Sequence, residues 1–342
     1  MKTEKLPVSV LIPTRDVYKI LPGHLASVKT WAALVQEIVV VDSYSTDGTL
    51  ELIQNELHHP QLRVLQHPPG LYQSWNYGIQ QLTSKYTYIS TIGDTITPEG
   101  LTHLVETAER FDADVVVSPP QLFDADENPM VGSRWPIHNL LEGASIKNPV
   151  KLEKPFAFLL AVRDLPGAIL GSSASNLYRT EMVKKYPFPA EYGAAGDAAW
   201  AFLHAFDISL IVTPTPCARF LFHSRATISL QEKRDRIRRM SDVALQVACQ
   251  ASGKLSLDGV SEYQVLMQQL LVVQRELYET QWNYEQIRRE CRPWIFYSLA
   301  WQARQQRNRQ RQKYWDMMKE VLRMPICCDG MPSLSEKFFR KC

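Results

Sequence analysis

Short runs of β-branched and other apolar residues alternate with amphipathic segments through the first 120 residues of the chain. Continuous apolar runs are typical of buried parallel strands, whereas apolar residues three and four apart indicate helices. The pattern predicts strands over 8–12, 37–41, 61–65, 86–91 and 115–117. It predicts helices over 49–57, 70–82 and 98–110. Repeated units of this length indicate an α/β fold, with a Rossmann-like, mostly parallel sheet flanked by helices on both faces.

This alternation of strand and helix patterns ends at residue 119. Seven prolines punctuate residues 119–170, where we expect loops and short helices that form a lid or an acceptor wall. Residues 171–230 return to a compact pattern, with a helix predicted around 197–206 and a strand over 208–212. Beyond Ser229 the pattern becomes helical and polar.

Two long helices are predicted in the C-terminal third. In the first, apolar residues recur at alternating spacings of three and four, which is typical of a coiled-coil-like seam. The seam consists of Tyr263, Leu266, Leu270, Val273, Leu277, Tyr284, Ile287 and Cys291. Pro293 ends this helix, and a second one is predicted over 294–322. Either the rest of the chain or a second copy, in a homo-oligomer formed through residues 263–291, must cover the seam.

The composition narrows the class of protein. The chain has 342 residues, of which 45 % are hydrophobic and 22 % charged, and this excludes a disordered or collagen-like chain. No uncharged apolar stretch reaches the roughly 18 residues of a membrane-spanning helix. The first residues also lack the pattern of a secretory signal. We therefore expect the protein in the cytoplasm.

Charge is distributed unevenly along the chain. Residues 1–230 hold 18 Lys and Arg against 23 Asp and Glu, whereas residues 231–342 hold 20 against 13. Residues 291–315 contain six basic residues, several aromatic residues and no acidic residue. Such a segment can lie on an anionic membrane surface, which would make the protein peripheral on the cytoplasmic face. The same residues could instead contact a protein partner or form a helical hairpin with solvated arginines. We do not expect nucleic-acid binding.

Polar residues follow three of the predicted strands. Thr14 and Asp16 follow the first, Asp42 ends the second, and Asp94 lies in a Gly-Asp-Thr turn after the fourth. In parallel sheets the ligand site lies at the carboxyl ends of the strands. We therefore expect Asp42 to contact a ligand, and Asp47 to cap the next helix. The carboxylate in the turn at Asp94 suits Mg²⁺ or Mn²⁺, because these ions take oxygen ligands and bridge phosphates.

A series of short motifs runs through the same region. They are Val-Ser-Val-Leu-Ile-Pro-Thr at 8–14, Ile-Val-Val-Val-Asp at 38–42, Ser-Thr-Asp-Gly-Thr at 45–49, Gly70-Leu71, Asn76-Tyr77-Gly78-Ile79 and Gly93-Asp94. In this order and spacing they resemble glycosyltransferase family 2, whose members have the GT-A fold. The resemblance is strong over residues 6–118. It resumes at Gly171-Ser172-Ser173, Tyr178-Arg179, Gly196-Asp197 and Phe222-His223-Ser224.

The resemblance implies a role for each matching residue. The residues that would line the nucleotide-sugar pocket are Pro13, Thr14, Asp16, Asp42, Trp75, Asn76, Gly93 and Asp94. Asp94 and His223 would hold a Mg²⁺ or Mn²⁺ cofactor on the donor diphosphate, and Asp197 would be the catalytic base.

The chain departs from the family pattern at four places. Ser43-Tyr44-Ser45 stands after Asp42, where the family often has Asp-Gly-Ser. Ile92 and Gly93 stand where the family usually has further carboxylates, which weakens the expected metal site. Trp75 stands where many members have Arg. Gly196 replaces the usual Glu before the base.

The resemblance as a whole implies an inverting glycosyltransferase that moves a sugar from a nucleotide-sugar donor to a glycan or lipid-linked saccharide. Residues 1–230 would form the GT-A catalytic domain, with the donor side over 1–118 and the acceptor side over 119–230. Residues 231–342 would form a basic, aromatic-rich helical region.

The alternatives to a glycosyltransferase are a binding or scaffold protein, a dinucleotide oxidoreductase and a nucleotidyltransferase. The acidic motif retains only one carboxylate, Asp94. This favours the alternative of a catalytically weak nucleotide-sugar-binding or scaffold protein that acts through its C-terminal helices. A dinucleotide oxidoreductase would need Gly-x-Gly-x-x-Gly after the first strand, and a nucleotidyltransferase a Gly-rich loop with Arg and Lys. The residues at 13–16, Pro-Thr-Arg-Asp, supply neither.

Overall fold

The computed structural model describes residues 5–132, 135–163, 165, 169–222, 229–251, 260–290 and 293–323. The chain divides into two compact units, residues 1–228 and 229–342. The described part of the first unit is an α/β structure, and that of the second is helical.

A large sheet runs through the first unit. The strands are β1 (Leu6–Thr14), β2 (Val35–Asp42), β3 (Leu62–Gln66), β4 (Tyr86–Ile89), β5 (Thr95–Ile96), β6 (Val115–Val117), β7 (Gln121–Phe123), β8 (Val150–Leu152), β9 (Asn176–Arg179), β10 (Leu210–Val212) and β11 (Ala218–Leu221). Eight of them form the large sheet in the order β3-β2-β1-β4-β9-β6-β10-β8, and the order in a small sheet is β5-β11-β7. In the large sheet β9 is antiparallel to β4 and β6, and β8 is antiparallel to β10, whereas the other pairs are parallel. The mostly parallel sheet that was predicted is confirmed.

Helices flank this sheet and make up the second unit. Those of the first unit are α1 (Leu21–Trp31), α2 (Thr49–Glu56), α3 (Leu71–Gln80), α4 (Pro98–Phe111), α5 (Pro136–Gly143), α6 (Lys154–Arg163), α7 (Thr180–Lys185) and α8 (Gly196–Leu203). Those of the second are α9 (Leu230–Ala251), α10 (Val260–Glu290) and α11 (Pro293–Arg323).

Helix α3 lies very close to the central strands because it has a glycine at the contact. A Cβ atom at Gly78 would lie 2.4 Å from Leu11 Cδ1 and 2.8 Å from Val41 Cγ2. Both distances are shorter than van der Waals contact, so a side chain at this position would push the helix away from β1 and β2. Helix α3 also carries Trp75 and Asn76 of the candidate site, and Gly78 therefore helps to set their position.

The second unit buries one side of its long helices. Leu270, Val273 and Trp282 of α10 and Ala303 and Tyr314 of α11 are at most 5 % exposed. Helix α11 begins at Pro293, where the sequence predicted a break, because proline is well suited to the first turn of a helix. Of the predicted seam, the side chains of Tyr263, Leu266 and Cys291 lie outside the described part of the chain. No helix among the described residues is long and apolar enough to cross a membrane.

Candidate active site

The carboxyl ends of β1 and β2 form one side of the site. Thr14 and Asp42, the last residues of these strands, are partners in the parallel register. Thr14, next to Pro13 in β1, is 5 % exposed, and its Oγ1 has no hydrogen-bond partner among the residues that the structure describes. A buried hydroxyl without a partner is costly, so this position suits a polar group of a ligand.

The Asp42 carboxylate organises the loop that follows β2. It is fully buried and accepts hydrogen bonds from the N–H of Ser45 at 3.0 Å and from the Ser45 hydroxyl at 2.5 Å. Ser45 Oγ in turn accepts a hydrogen bond from the N–H of Asp16 at 3.0 Å. Asp42 therefore joins the loops after β1 and β2, and its contact with a ligand stays a prediction.

Two more carboxylates hold the same pair of loops together. Asp16, whose φ is +47°, accepts a hydrogen bond from the N–H of Thr46 at 2.9 Å. Asp47 accepts one from the N–H of Tyr18 at 3.0 Å. It also accepts one from the hydroxyl of Thr49 at 2.6 Å, which is the largest cause of the lowered pKa of Asp47. A further bond comes from the Thr49 N–H at 3.0 Å, at the start of α2, although the N-cap residue of this helix is Gly48 and not the predicted Asp47.

Asp94 lies in a tight turn beyond β4, directly after Gly93, whose φ is +97°. Its Oδ2 accepts hydrogen bonds from the hydroxyls of Thr91 and Ser172, both at 2.8 Å. Its Oδ1 accepts one from the N–H of Leu221 at 3.2 Å. The turn after β4, the segment before β9 and the end of β11 therefore meet at this carboxylate, which is 5 % exposed.

The buried side chain of His24 holds the backbone of the Asp94 turn. His24 of α1 is 2 % exposed; its Nδ1 lies 3.0 Å from the backbone oxygen of Asp94 and its Nε2 lies 3.2 Å from Ser90 Oγ. Burial lowers the pKa of His24 to about 4, so the ring is neutral near pH 7. Because a carbonyl oxygen only accepts, Nδ1 carries the proton and Nε2 accepts from Ser90. The backbone of the predicted metal ligand is thus fixed.

The metal site predicted from the sequence is only partly within the described residues. Asp94 belongs to it, whereas His223 lies outside them. The described residues contain no group of three or more His, Cys, Asp or Glu side chains that could hold a metal ion. Mg²⁺ is commonly bound through one or two carboxylates together with substrate phosphates. The residues present fit a metal ion that is held jointly with a diphosphate.

Trp75 and Asn76 of α3 make their contacts inside the protein. The Trp75 ring is 3 % exposed and lies edge-on to the rings of Tyr72 and Phe188, at 5.0 and 5.5 Å between centroids. Asn76 Nδ2 donates to the backbone oxygen of Phe188 at 2.8 Å, and Asn76 Oδ1 accepts from the N–H of Phe188 at 2.9 Å. These positions were predicted to contact the nucleotide sugar. Both side chains fasten the segment around Phe188 to α3, and their contact with a nucleotide sugar stays a prediction.

Asp197 is the second residue of α8 and is half-buried. Its Oδ1 accepts a hydrogen bond from the N–H of Ala198 at 2.7 Å, and its own N–H donates to Tyr72 Oη at 3.0 Å. A carboxylate in the first turn of a helix is stabilised by the helix dipole. Tyr72 is the second residue of α3, and α3 begins shortly after β3 ends. Asp197 is therefore held next to the carboxyl-end edge of the sheet.

Sequence reasoning missed four residues of this region. Ser172 and His24 support Asp94, and Tyr72 supports Asp197. Tyr44, with a φ of +54°, is 52 % exposed in the loop directly after Asp42. Two of them had a signal in the sequence, because Tyr44 follows the strand-end Asp42 closely and Ser172 lies in the Gly171-Ser172-Ser173 motif. His24 and Tyr72 carried none, because they read as ordinary core positions.

Comparison with known proteins now identifies the class. The mostly parallel sheet with its flanking helices is that of a GT-A glycosyltransferase domain. The family model for glycosyl transferase family 2 matches residues 9–186, more than half of the chain. The chain therefore belongs to glycosyl transferase family 2, as its motifs predicted. No curated protein matches the chain.

Solved structures of TarS from S. aureus share the fold. The structure of TarS residues 1–349 in complex with UDP-GlcNAc is 15 % identical with a TM-score of 0.56, and the match covers 92 % of this chain and 80 % of that one. A structure of TarS without a stated residue range is 17 % identical with a TM-score of 0.53, covering 92 % of this chain but 54 % of that one. The complex of residues 1–349 with UDP is 16 % identical with a TM-score of 0.51, covering 92 % and 91 %.

Proposed function

We propose that this protein is an inverting glycosyltransferase that takes its sugar from a nucleotide-sugar donor. The observation that carries the proposal is the buried Thr14 hydroxyl, which has no partner among the described residues and lies beside the buried Asp42 carboxylate in a family 2 fold; the Asp94 and Asp197 carboxylates support it. Two of the TarS structures that share the fold are complexes with UDP-GlcNAc and with UDP, so a UDP-sugar is the first donor to test.

The donor would bind across the carboxyl ends of the strands. Thr14 and Asp42 are proposed to contact the nucleoside, because the first offers a buried hydroxyl with no partner among the described residues and the second a buried carboxylate beside it in the register. Asp16 completes this wall by holding the neighbouring loop closed. Tyr44, exposed in the same loop, can stack on the base.

Asp94 is proposed to hold a Mg²⁺ or Mn²⁺ ion together with the diphosphate. When bound, such an ion neutralises negative charge on the leaving group without proton transfer. Ser172, Thr91 and the Leu221 N–H keep the Asp94 carboxylate in place, and His24 keeps its backbone in place. With a single described carboxylate, we expect the metal to bind strongly only in the presence of a nucleoside diphosphate.

Asp197 is proposed to be the general base. As the oxygen of the acceptor hydroxyl forms a bond to the anomeric carbon, Asp197 takes the hydroxyl proton. The bond between the anomeric carbon and the diphosphate oxygen breaks, and the nucleoside diphosphate leaves with the electron pair. Attack on the face opposite the leaving group inverts the anomeric configuration.

The acceptor is proposed to be a glycan or a lipid-linked saccharide, met on the side of the catalytic domain built by residues 119–230. Residues 231–342 would then serve attachment. The described part of α11 carries exposed Arg304, Arg309, Arg311 and Lys313, and its Trp301 is 62 % exposed. Basic and aromatic side chains exposed on one helix are suited to an anionic membrane surface. A homo-oligomer formed through residues 263–291 stays a prediction.

Release of nucleoside diphosphate by the full chain tests the proposal. UDP-, GDP- and dTDP-sugars are screened with and without Mn²⁺, beginning with UDP-GlcNAc. For the active donor, Asp197→Asn is expected to slow turnover at least about a hundredfold while donor binding stays close to wild type. Glu191→Gln, an exposed carboxylate just before α8, is the matched control and should turn over normally. Near-normal turnover of Asp197→Asn would contradict the assignment of the base.

A further inference from the structure

We propose that Tyr72 is a positioning residue for Asp197, and that its ring occupies the space which a side chain at position 196 would need. This inference rests on the proposed function, because it gives Asp197 the role of the base. Tyr72 itself touches neither donor nor acceptor in this account. It acts on the backbone and carboxylate of Asp197.

The contact is made at an atom that a helix leaves free. The first backbone N–H groups of a helix have no partner within the helix. The N–H of Asp197 in the first turn of α8 is satisfied by Tyr72 Oη at 3.0 Å. The side chain of Asp197 also bonds within that turn, to the N–H of Ala198. The hydroxyl of Tyr72 thus fixes the point from which the base extends.

The hydroxyl can do so because its ring is held on several sides. Tyr72 is 2 % exposed and stacks on Phe188 with 5.7 Å between centroids and 20° between planes. Trp75 closes the cluster edge-on against both rings. Asn76 fastens the backbone of Phe188 to the same helix. The position of Tyr72 Oη is therefore determined by α3 and by the segment that leads into α8.

The packing around Tyr72 leaves no room for a side chain at position 196. A Cβ atom at Gly196 would lie 2.4 and 2.6 Å from two ring carbons of Tyr72 and 2.6 Å from the backbone oxygen of Pro189. Real Cβ atoms do not approach so closely, and the oxygen belongs to the backbone and cannot rotate away. The Tyr72 ring and the Pro189 backbone oxygen thus both require glycine at 196.

The protonation state of Tyr72 suits this role. Burial raises the pKa of Tyr72 far above its usual value, and the neighbouring Asp197 carboxylate raises it further. The phenol therefore keeps its proton at any working pH. The hydroxyl accepts from the Asp197 N–H and also interacts with the Asp197 carboxylate, which helps to hold the base in one orientation.

The test compares Tyr72→Phe with Tyr178→Phe. Tyr178 is the matched control, because it is a fully buried tyrosine of the same aromatic cluster whose hydroxyl bonds to Asn176. Both variants should lose similar thermal stability. Only Tyr72→Phe should lower kcat, by about tenfold to a hundredfold, with the KM for the donor within about twofold of wild type. Equal effects of the two variants on kcat, or a change in KM alone, would overturn the proposal.

A double variant separates this proposal from the proposed function. If Tyr72 acts through the base, adding Tyr72→Phe to Asp197→Asn should lower turnover by less than about twofold. A full additional loss in the double variant would mean that Tyr72 acts independently of Asp197, and would overturn the inference. If Asp197→Asn alone has no effect, the proposed function fails first, and that outcome is visible without any Tyr72 variant.

Discussion

Replacing Asn76 by alanine removes one side chain that satisfies both backbone polar groups of Phe188. The bonds measure 2.8 and 2.9 Å, and the Phe188 side chain is 1 % exposed. If these bonds are the main role of Asn76, the variant should lose stability and keep its affinity for the nucleotide. If Asn76 contacts the donor, as the family resemblance implied, the opposite should hold.

The expected loss follows from the contacts. A buried polar group left without its partner costs about 1–3 kcal/mol, and here one N–H and one carbonyl lose theirs together. Partial access of water to this segment places the expected loss near the lower end, at about 3 kcal/mol for the pair. A loss of this size is a large share of the stability of an ordinary domain.

Urea unfolding of the full chain, followed by tryptophan fluorescence, measures the change, since Trp75 and Trp200 lie against Phe188. The control is Gln80→Ala on the same helix, which removes a similar but exposed bond to the backbone oxygen of Lys184. It should cost less than about 1 kcal/mol. Calorimetric titration with the nucleoside diphosphate is run on both variants. A small stability loss for Asn76→Ala, combined with weaker nucleotide binding, would refute the structural role.

Three further predictions concern the metal, the pH dependence and the basic helix. Asp94→Asn should weaken donor binding in the presence of Mn²⁺ at least about tenfold, while donor binding without metal and the melting temperature change little. If calorimetry shows the same dependence of donor affinity on Mn²⁺ in the variant and in wild type, Asp94 is not the metal ligand. Burial alone would raise the pKa of Glu37, but hydrogen bonds from Ser9, Thr83 and Arg63 outweigh it and lower the pKa. The charged Glu37 therefore stabilises the fold fully above about pH 4.5, and this stabilisation is lost as the pH falls through the pKa of Glu37 in the folded state. The free energies of unfolding of Glu37→Gln and wild type should therefore become equal on acidification. A difference between them that stays constant in urea unfolding from about pH 7 to about pH 3 would contradict this. Exchange of Arg304 and Arg311 for Glu should abolish flotation with anionic liposomes at low salt, whereas unchanged flotation, or none for wild type, would exclude the membrane role of α11.

The central strands could be predicted from the sequence because each is buried on both faces. β1 and β2 are almost continuous apolar runs, and their ends fix where Thr14 and Asp42 lie. β9 was missed although it lies in the middle of the sheet. Its first residue, Asn176, is fully buried and donates to the Leu170 oxygen, so a polar residue stands where an apolar one would have signalled a strand. Helix α1 was missed as well, because Pro22 and Gly23 in its first turn read as a loop.

The site was predictable only where it follows from strand order. Parallel neighbours end at the same edge, so Thr14 and Asp42 could be placed together from the pattern alone. Contacts that depend on packing could not be foreseen. Gly196 was visible as a departure from the family, but the two groups that leave no room for a side chain there, the Tyr72 ring and the Pro189 backbone oxygen, became clear only in three dimensions. Asn76 matched a family motif, yet its partner is the backbone of Phe188.

The stereochemistry of the first product tests the central claim most directly. The wild-type chain is supplied with Mn²⁺ and the nucleotide sugar that it binds, and the anomeric proton of the initial product is followed by NMR before the free sugar equilibrates. An acceptor or water attacking with Asp197 as base must give the anomeric configuration opposite to that of the donor. A product with the configuration of the donor would contradict single displacement and the role of Asp197.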